Sequence, residues 1–133
     1  MGYTNYYKIK KQDNVKEFGE LFLTCVNKAI ELSGVPLEYE VNSKIIDING
    51  VGDDACENLY IVLKNTPFGY GGGSFCKTNR RPYDVVVKAV LMLANDFGYL
   101  ERKLDFDGSK DDEEYKAGLN LFKRVKKSTY KTK

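Results

Sequence analysis

The stretch that decides the fold is Gly69-Tyr70-Gly71-Gly72-Gly73-Ser74-Phe75-Cys76-Lys77-Thr78-Asn79-Arg80-Arg81-Pro82-Tyr83-Asp84, and the most apolar segment of the chain, residues 85–97, follows it directly. Pro82 favours the first position of a helix, where its missing N–H would have no partner. Gly98 is a typical helix stop. The pattern predicts a helix from about Pro82 to Phe97. Its apolar residues lie nearly all round the helix, which is typical of a central helix.

A helix is also predicted on each side of this central one. Asp13 is a suitable N-cap for a segment from Asn14 to Ser33, in which apolar residues recur every three or four positions. Gly34 ends that segment. The last helix is predicted from about Asp112 to Val125, because acidic residues lie in its first turn and basic residues in its last, as the helix dipole favours.

Short runs of β-branched and apolar residues predict strands between the helices. They lie at residues 37–41, 44–48 and 58–63, with a weaker candidate at 99–106 and a short strand or arm at 6–10. This order predicts an α+β fold in which a small, mostly antiparallel sheet of three to four strands packs against two to three helices.

The length of the chain predicts one domain, since 133 residues are within the usual range for a single core. We expect residues 1–133 to form that domain. Residues 1–12 are predicted to be an N-terminal arm or edge strand, and residues 128–133 a frayed basic tail.

Composition excludes several classes of function. The chain has no histidine, so Ser-His-Asp and Cys-His catalysis and His-ligated zinc are excluded. Its net charge of +2, from 21 basic and 19 acidic residues, does not predict general nucleic-acid binding. Three cysteines are too few for a disulfide scaffold, and no secretory signal or membrane span is evident. We expect a cytoplasmic protein.

The basic turn is the first candidate site. Lys77, Thr78, Arg80 and Arg81, with backbone N–H groups at the start of the helix, are suited to hold a phosphate or carboxylate group. Aromatic rings nearby are suited to stack on a base, and they belong to Phe68 and Tyr70. The alternative is a solvated basic turn in which Arg80 or Arg81 pairs with a carboxylate of the preceding loop, which holds Asp53, Asp54 and Glu57.

A nucleotide-triphosphatase phosphate loop is not predicted here. Residues 71–78 differ by one residue from the pattern G-x-x-x-x-G-K-[ST], but Cys76 replaces the glycine whose backbone wraps the phosphate. Pro82 would also fall inside the helix that begins near the lysine in such loops.

The carboxylates Asp53, Asp54 and Glu57 are the second candidate site. Carboxylates on one loop can hold magnesium or calcium, and some nucleases use such groups. The simpler interpretation is a turn, since Gly and Asp are common turn formers. No cofactor is expected, apart from Mg²⁺ if the chain is a hydrolase.

Part of the chain resembles a family of short bacteriophage proteins of unknown function. The resemblance covers roughly residues 44–125, and its most specific part is the string Phe75-Cys76-Lys77-Thr78-x-Arg80-x-Pro82-Tyr83-Asp84. The loop Gly50-Val51-Gly52-Asp53-Asp54 also contributes. The resemblance implies a phage or prophage context, with the cytoplasm of an infected or lysogenic bacterium as the location.

Three functions agree with these patterns. The first is a non-enzymatic protein that binds a small phosphate-bearing ligand, a nucleotide above all, and in a phage setting sequesters a host immune signal. The second is a protein-interaction module that inhibits a host or defence protein. The third is a metal-dependent nuclease or phosphohydrolase. A homodimer is compatible with the first function.

Overall fold

Three helices and six short strands make up the part of the chain that the structure, a computed structural model, describes: residues 4–10, 17–63, 75–101, 104–108 and 111–130. The elements are β1 (Thr4–Tyr6), α1 (Glu20–Ser33), β2 (Glu38–Val41), β3 (Ile46–Asn49), β4 (Leu59–Ile61), β5 (Phe75–Lys77), α2 (Asp84–Asp96), β6 (Asp105–Phe106) and α3 (Glu113–Ser128). A short 3₁₀ turn covers Gly52–Asp54. The predicted α+β class is confirmed.

Helix α2 is the centre of the core, as its all-round apolar sequence predicts. Every residue from Val86 to Ala94 is buried, and α1 and α3 both pack against this helix. The rings of Phe22 and Phe97 lie 5.4 Å apart, and those of Phe22 and Tyr99 lie 4.8 Å apart. One buried cluster therefore spans all three helices.

The strands form two antiparallel sheets of three strands each, instead of the one sheet that the sequence suggested. Sheet 1 has the order β5–β1–β6, with Asn5 opposite both Cys76 and Phe106. Sheet 2 has the order β2–β3–β4, with Ile46 opposite Ile61. Residues 4–6 of the predicted N-terminal arm or edge strand therefore form the central strand of sheet 1 instead.

Helix α1 begins later than predicted. It starts at Glu20, and Gly19 before it is extended, with φ −72° and ψ 157°. The backbone N–H of Phe18 donates to the carbonyl of Ser43, and that of Gly19 donates to the Tyr99 hydroxyl. These tertiary contacts hold residues 18 and 19 outside the helix. The proposed cap Asp13 lies outside the described residues.

Two predicted strands are shorter than expected for local reasons. The Asn42 side chain accepts the backbone N–H groups of both Lys44 and Ile45, so the turn extends to residue 45 and β3 begins at Ile46. Among the described residues of the candidate at 99–106, only Asp105–Phe106 form a strand. Before it, Leu100 forms one isolated bridge with Ile9.

The C-terminal helix is longer than predicted, and the residues just after it are packed. Helix α3 continues to Ser128. The ring of Tyr130 lies 5.0 Å from that of Phe97, and its hydroxyl donates to Asp96 at 2.6 Å. Residues 128–130 are therefore not frayed, because the Tyr130 ring anchors them to the end of α2.

Candidate functional site

The basic turn between β5 and α2 has a constrained backbone. Asn79 and Arg80 both have positive φ, at 56° and 61°, and the N–H of Arg81 donates to the carbonyl of Thr78 at 3.0 Å. This is the geometry of a type I′ turn, which Asn tolerates and Arg rarely adopts. The turn fixes where the side chains of residues 77–81 emerge beside sheet 1.

A buried polar cluster lies under this turn and consists of Asn5, Thr78, Asp84 and Lys88, each at most 1% exposed. The Thr78 hydroxyl and the Asn5 amide donate to Asp84 Oδ1 at 2.5 and 3.0 Å. The Lys88 ammonium donates to Asp84 Oδ2 at 2.5 Å. Charged groups are rarely buried unless they are paired, and here one carboxylate ties β1, β5 and α2 together.

Helix α3 makes room for this cluster at Gly118. A Cβ atom on Gly118 would lie 2.6 Å from the Cβ of Lys88, which is closer than side chains can approach. On another side, the Lys88 ammonium lies 5.1 Å from the centre of the Phe106 ring, a favourable cation–π distance. The lysine is therefore held by packing as well as by its ion pair.

The structure separates the predicted phosphate-binding residues into two groups. Thr78 is fully buried and donates its hydroxyl to Asp84, so it does not face solvent as a ligand group would. Lys77, Arg80 and Arg81 are exposed. Among the described residues, no carboxylate lies within ion-pair distance of Lys77 or Arg81.

Arg80 pairs with a carboxylate, but with one that the sequence did not indicate. Its Nε and Nη2 atoms donate to the two carboxylate oxygens of Glu114 on α3, at 2.8 and 3.0 Å. This two-pronged hydrogen bond lowers the pKa of Glu114 below its ordinary value. The arginine side chain is still 51% exposed, so the pair lies at the surface.

The proposed metal ligands do not converge on one point. Within the described residues, no group of three or more His, Cys, Asp or Glu side chains is arranged to hold a metal ion. Asp53 and Asp54 lie exposed in the 3₁₀ turn. Glu57 accepts the backbone N–H of Lys77 at 2.8 Å, and its own N–H donates to the carbonyl of Lys77. Glu57 thus joins the loop before β4 to the edge of sheet 1.

Burial makes two groups near Glu57, the Cys76 thiol and the Tyr83 hydroxyl, poorly reactive. Burial raises the pKa of the Cys76 thiol far above its ordinary value, and the nearby Glu57 carboxylate adds to the shift. Burial likewise raises the pKa of the Tyr83 hydroxyl, which donates to the carbonyl of Glu57 at 2.5 Å. A thiol held in its protonated form is a weak nucleophile.

The aromatic residues chosen for base stacking, Phe68 and Tyr70, lie outside the described residues. The structure instead exposes two other rings. Tyr6 and Phe75 are directly opposite each other in sheet 1, and they are 41% and 53% exposed. Lys77 lies two residues beyond Phe75, so it projects from the same outer face. Successive side chains of a strand point to opposite faces, so the order Phe75-Cys76-Lys77 could have placed Phe75 and Lys77 on one face from the sequence.

Comparison of the chain with protein-family models, with curated proteins and with solved structures finds no match. In the described residues, no helix has the length and apolar character needed to span a membrane.

Proposed function

We propose that the protein is a non-enzymatic nucleotide-binding protein, and that the outer face of sheet 1 holds the ligand. The observation that carries this proposal is the exposed pair Tyr6 and Phe75 on the same face as Lys77. Exposed aromatic rings on a sheet, next to a positive charge, form a platform on which a base stacks while its phosphate is neutralised.

The charges on the outer face of sheet 1 determine how the nucleotide would be oriented there. Lys77 lies at one end of the aromatic pair, and Arg81 follows it after the type I′ turn. Asp105 lies opposite Tyr6 on the other side of β1. The phosphate group would lie toward Lys77 and Arg81, which are the cations of this face; the Glu57 carboxylate at that end already accepts the Lys77 backbone N–H, and the Asp105 carboxylate repels the phosphate at the other end. That carboxylate would accept a hydrogen bond from a base amino group or a ribose hydroxyl.

In the phage setting that the sequence resemblance implies, such a protein would sequester a signalling nucleotide of the bacterial host. The constrained turn and the buried polar cluster support a binding role, because they hold the platform rigidly without placing a reactive group in it. A preformed surface lowers the ordering cost of binding.

The test is a titration with nucleoside monophosphates, cyclic dinucleotides and ADP-ribose, with and without magnesium. We expect one class to raise the melting temperature, by an amount equivalent to about 2.7 kcal/mol at a ligand concentration 100 times Kd. Phe75→Ser and Lys77→Gln should each lower the affinity at least tenfold. Tyr60→Ser is the matched control, since Tyr60 is a similarly exposed aromatic residue of sheet 2.

Two results would refute the proposal. One is the absence of binding by any of these nucleotides at millimolar concentration. The other is binding that Phe75→Ser and Lys77→Gln leave unchanged. A second candidate function, docking of a partner protein, is favoured by the same exposed aromatic pair, since such patches mark interaction sites. It predicts that Phe75→Ser abolishes capture of a host protein while no nucleotide binds.

A further inference from the structure

Basic residues are concentrated in the last part of the sequence. Residues 116–133 contain seven lysines and arginines and no aspartate or glutamate, although the whole chain has 21 basic and 19 acidic residues. Such an asymmetry within a chain favours contact with a polyanion or a charged surface. Five of these residues belong to α3, and they are Lys116, Lys123, Arg124, Lys126 and Lys127.

Three of the lysines form a straight row on the outer side of α3. Lys116, Lys123 and Lys127 are seven and four residues apart, a spacing that places them on one face of a helix. All three are exposed, and so is Arg124 beside them. Since a helix rises about 1.5 Å per residue, the row is about 16 Å long. These four residues are the basic row of α3.

The charge of the basic row is not neutralised by the part of the chain that the structure describes. Among those residues, no carboxylate lies within ion-pair distance of any of its four cations, and this includes the exposed Glu113 one turn before Lys116. Lys123 and Lys127 are four residues apart, and like charges at this spacing destabilise a helix. The helix dipole offsets this repulsion only in the last turn. The row therefore has a cost that an anionic partner would remove.

The rest of α3 favours a nucleic acid over a membrane as this partner. Helices that bind membranes lie with an apolar face in the lipid. The apolar face of α3 is already used, because Leu121 and Val125 are buried in the core. The exposed uncharged residues of α3 are Ala117, Asn120 and Ser128. The outer side of α3 therefore offers no large apolar side chain for insertion between lipids.

The shape of the basic row also favours a nucleic acid over a protein. Protein interfaces depend on a few anchors in desolvated pockets, above all aromatic residues and arginines, and the exposed side of α3 has no aromatic residue. A DNA duplex instead carries one negative charge per about 1.7 Å of its axis. A straight row of cations meets several phosphates there in any register. Asn120, between Lys116 and Lys123, can donate to a phosphate oxygen as well.

We propose that the basic row of α3 binds the phosphate backbone of a nucleic-acid duplex without reading its sequence. The net charge did not predict this binding, because acidic residues elsewhere, such as Glu38 and Glu40 of sheet 2, cancel the row in the total. Each cation that neutralises a phosphate releases a counterion, so the affinity should fall steeply with salt. The row shares no residue with the nucleotide platform of sheet 1, and the two proposals can succeed or fail independently.

The experiment follows the fluorescence anisotropy of a labelled mixed-sequence DNA duplex of about 20 base pairs as the full chain is added, between about 50 and 200 mM KCl. We expect saturable binding at the lowest salt concentration. The slope of log K against log salt should be about −3 to −4, since four phosphates are neutralised. The double variant Lys123→Gln with Lys127→Gln should bind at least tenfold more weakly there, with a slope smaller in magnitude by about 2. Unchanged affinity and slope in this variant, or no saturable binding by the wild type at about 10⁻⁴ M, would overturn the proposal.

Three controls locate the binding. Lys8→Gln with Lys44→Gln removes the same charge from two exposed lysines outside α3 and should bind the duplex as the wild type does. Phe75→Ser, on the nucleotide platform, should also leave duplex binding unchanged. Vesicles that contain phosphatidylserine should bind at least tenfold more weakly than the duplex. An equal loss of affinity in the control pair and in Lys123→Gln with Lys127→Gln would show that only net charge matters. That result, a loss in Phe75→Ser, or equal binding of vesicles would contradict the proposal.

Discussion

The two sheets have the same size and the same antiparallel pairing, yet they are held in different ways. Sheet 2 buries four aliphatic side chains completely, those of Ile46, Ile48, Leu59 and Ile61. The inner face of sheet 1 instead presents Asn5, which belongs to the buried polar cluster. Apolar burial is non-directional, whereas hydrogen bonds to a buried carboxylate fix distances and angles. Directional bonds therefore help to position sheet 1, whereas sheet 2 is held by apolar packing.

Their outer faces differ as well. Sheet 2 exposes Glu38, Glu40 and Tyr60, with Asp47 opposite both Glu40 and Tyr60. Sheet 1 exposes Tyr6, Phe75 and Lys77, with the exposed Asp105 opposite Tyr6. An acidic face repels a phosphate group, and an aromatic face with a lysine attracts a nucleotide. The sheet that is held by hydrogen bonds to a buried carboxylate is thus the one on which we propose that the nucleotide binds.

The largest loss of stability is expected from breaking the buried ion pair between Asp84 and Lys88. Lys88→Met should lower the free energy of unfolding by about 3–5 kcal/mol, because it leaves the Asp84 carboxylate buried without its counter-ion. Urea denaturation measures the loss. The double variant Asp84→Leu with Lys88→Met should recover only part of it, since no unpaired charge remains but the buried Thr78 hydroxyl and Asn5 amide lose their shared acceptor. A loss below about 1 kcal/mol in the single variant would show that the pair does not hold sheet 1.

Two milder substitutions should distinguish the hydrogen bonds that hold sheet 1 from the apolar packing that holds sheet 2, through smaller losses of stability. Thr78→Val removes a hydroxyl that donates to a buried carboxylate, and it should cost about 1.5–3 kcal/mol. Ile48→Val removes one methyl group from sheet 2 and should cost about 0.5–1.5 kcal/mol. Both variants place valine at a fully buried position. Because Thr78→Val leaves the side-chain volume nearly unchanged, a cost below about 0.5 kcal/mol would mean that the hydrogen bond to Asp84 does not stabilise the fold.

The elements with a strong local pattern could be predicted from sequence. Helix α2 lies at Asp84–Asp96, and the sequence predicted a helix at 82–97. The prediction was good because a long apolar run bounded by Pro82 and Gly98 favours a buried helix over other structures. Sheet 1 was harder to predict. Its strands have at most three residues, and Asn5 pairs with Cys76, 71 positions away. No local window contains that pairing.

At the candidate site, the sequence indicated a group of exposed cations, and their role in ligand binding stays a prediction. Lys77, Arg80 and Arg81 are at the surface, as a ligand role requires. The partner of Arg80 was wrong, because Glu114 is 34 positions away and three nearer carboxylates fitted the charge equally well. Buried Lys88 was missed, although a clue was present. Asp84 and Lys88 are four residues apart on an otherwise apolar helix, the spacing of an ion pair.

The exposed ion pair between Arg80 and Glu114 should contribute little to stability, and its contribution should depend on pH. Glu114→Gln should lower the free energy of unfolding by about 0.2–1 kcal/mol near neutral pH, as is typical of exposed pairs. Arg80 lowers the pKa of Glu114 in the folded state below its ordinary value of 4.5. The difference between wild type and variant should therefore be fully present above pH 4.5 and disappear as the pH falls further. A difference that grows on acidification would contradict this assignment.

The smallest change in stability is expected on the outer faces, where the two sheets can be compared directly. Phe75→Ser in sheet 1 and Tyr60→Ser in sheet 2 each replace an exposed ring, so each should change the free energy of unfolding by no more than about 0.5 kcal/mol. Their effects on nucleotide affinity should differ, because Phe75 lies on the same strand face as Lys77, whereas Tyr60 lies opposite Asp47. If both variants lose affinity equally, the ligand does not lie on sheet 1. If only Phe75→Ser loses affinity while both remain equally stable, the loss comes from the ligand contact itself.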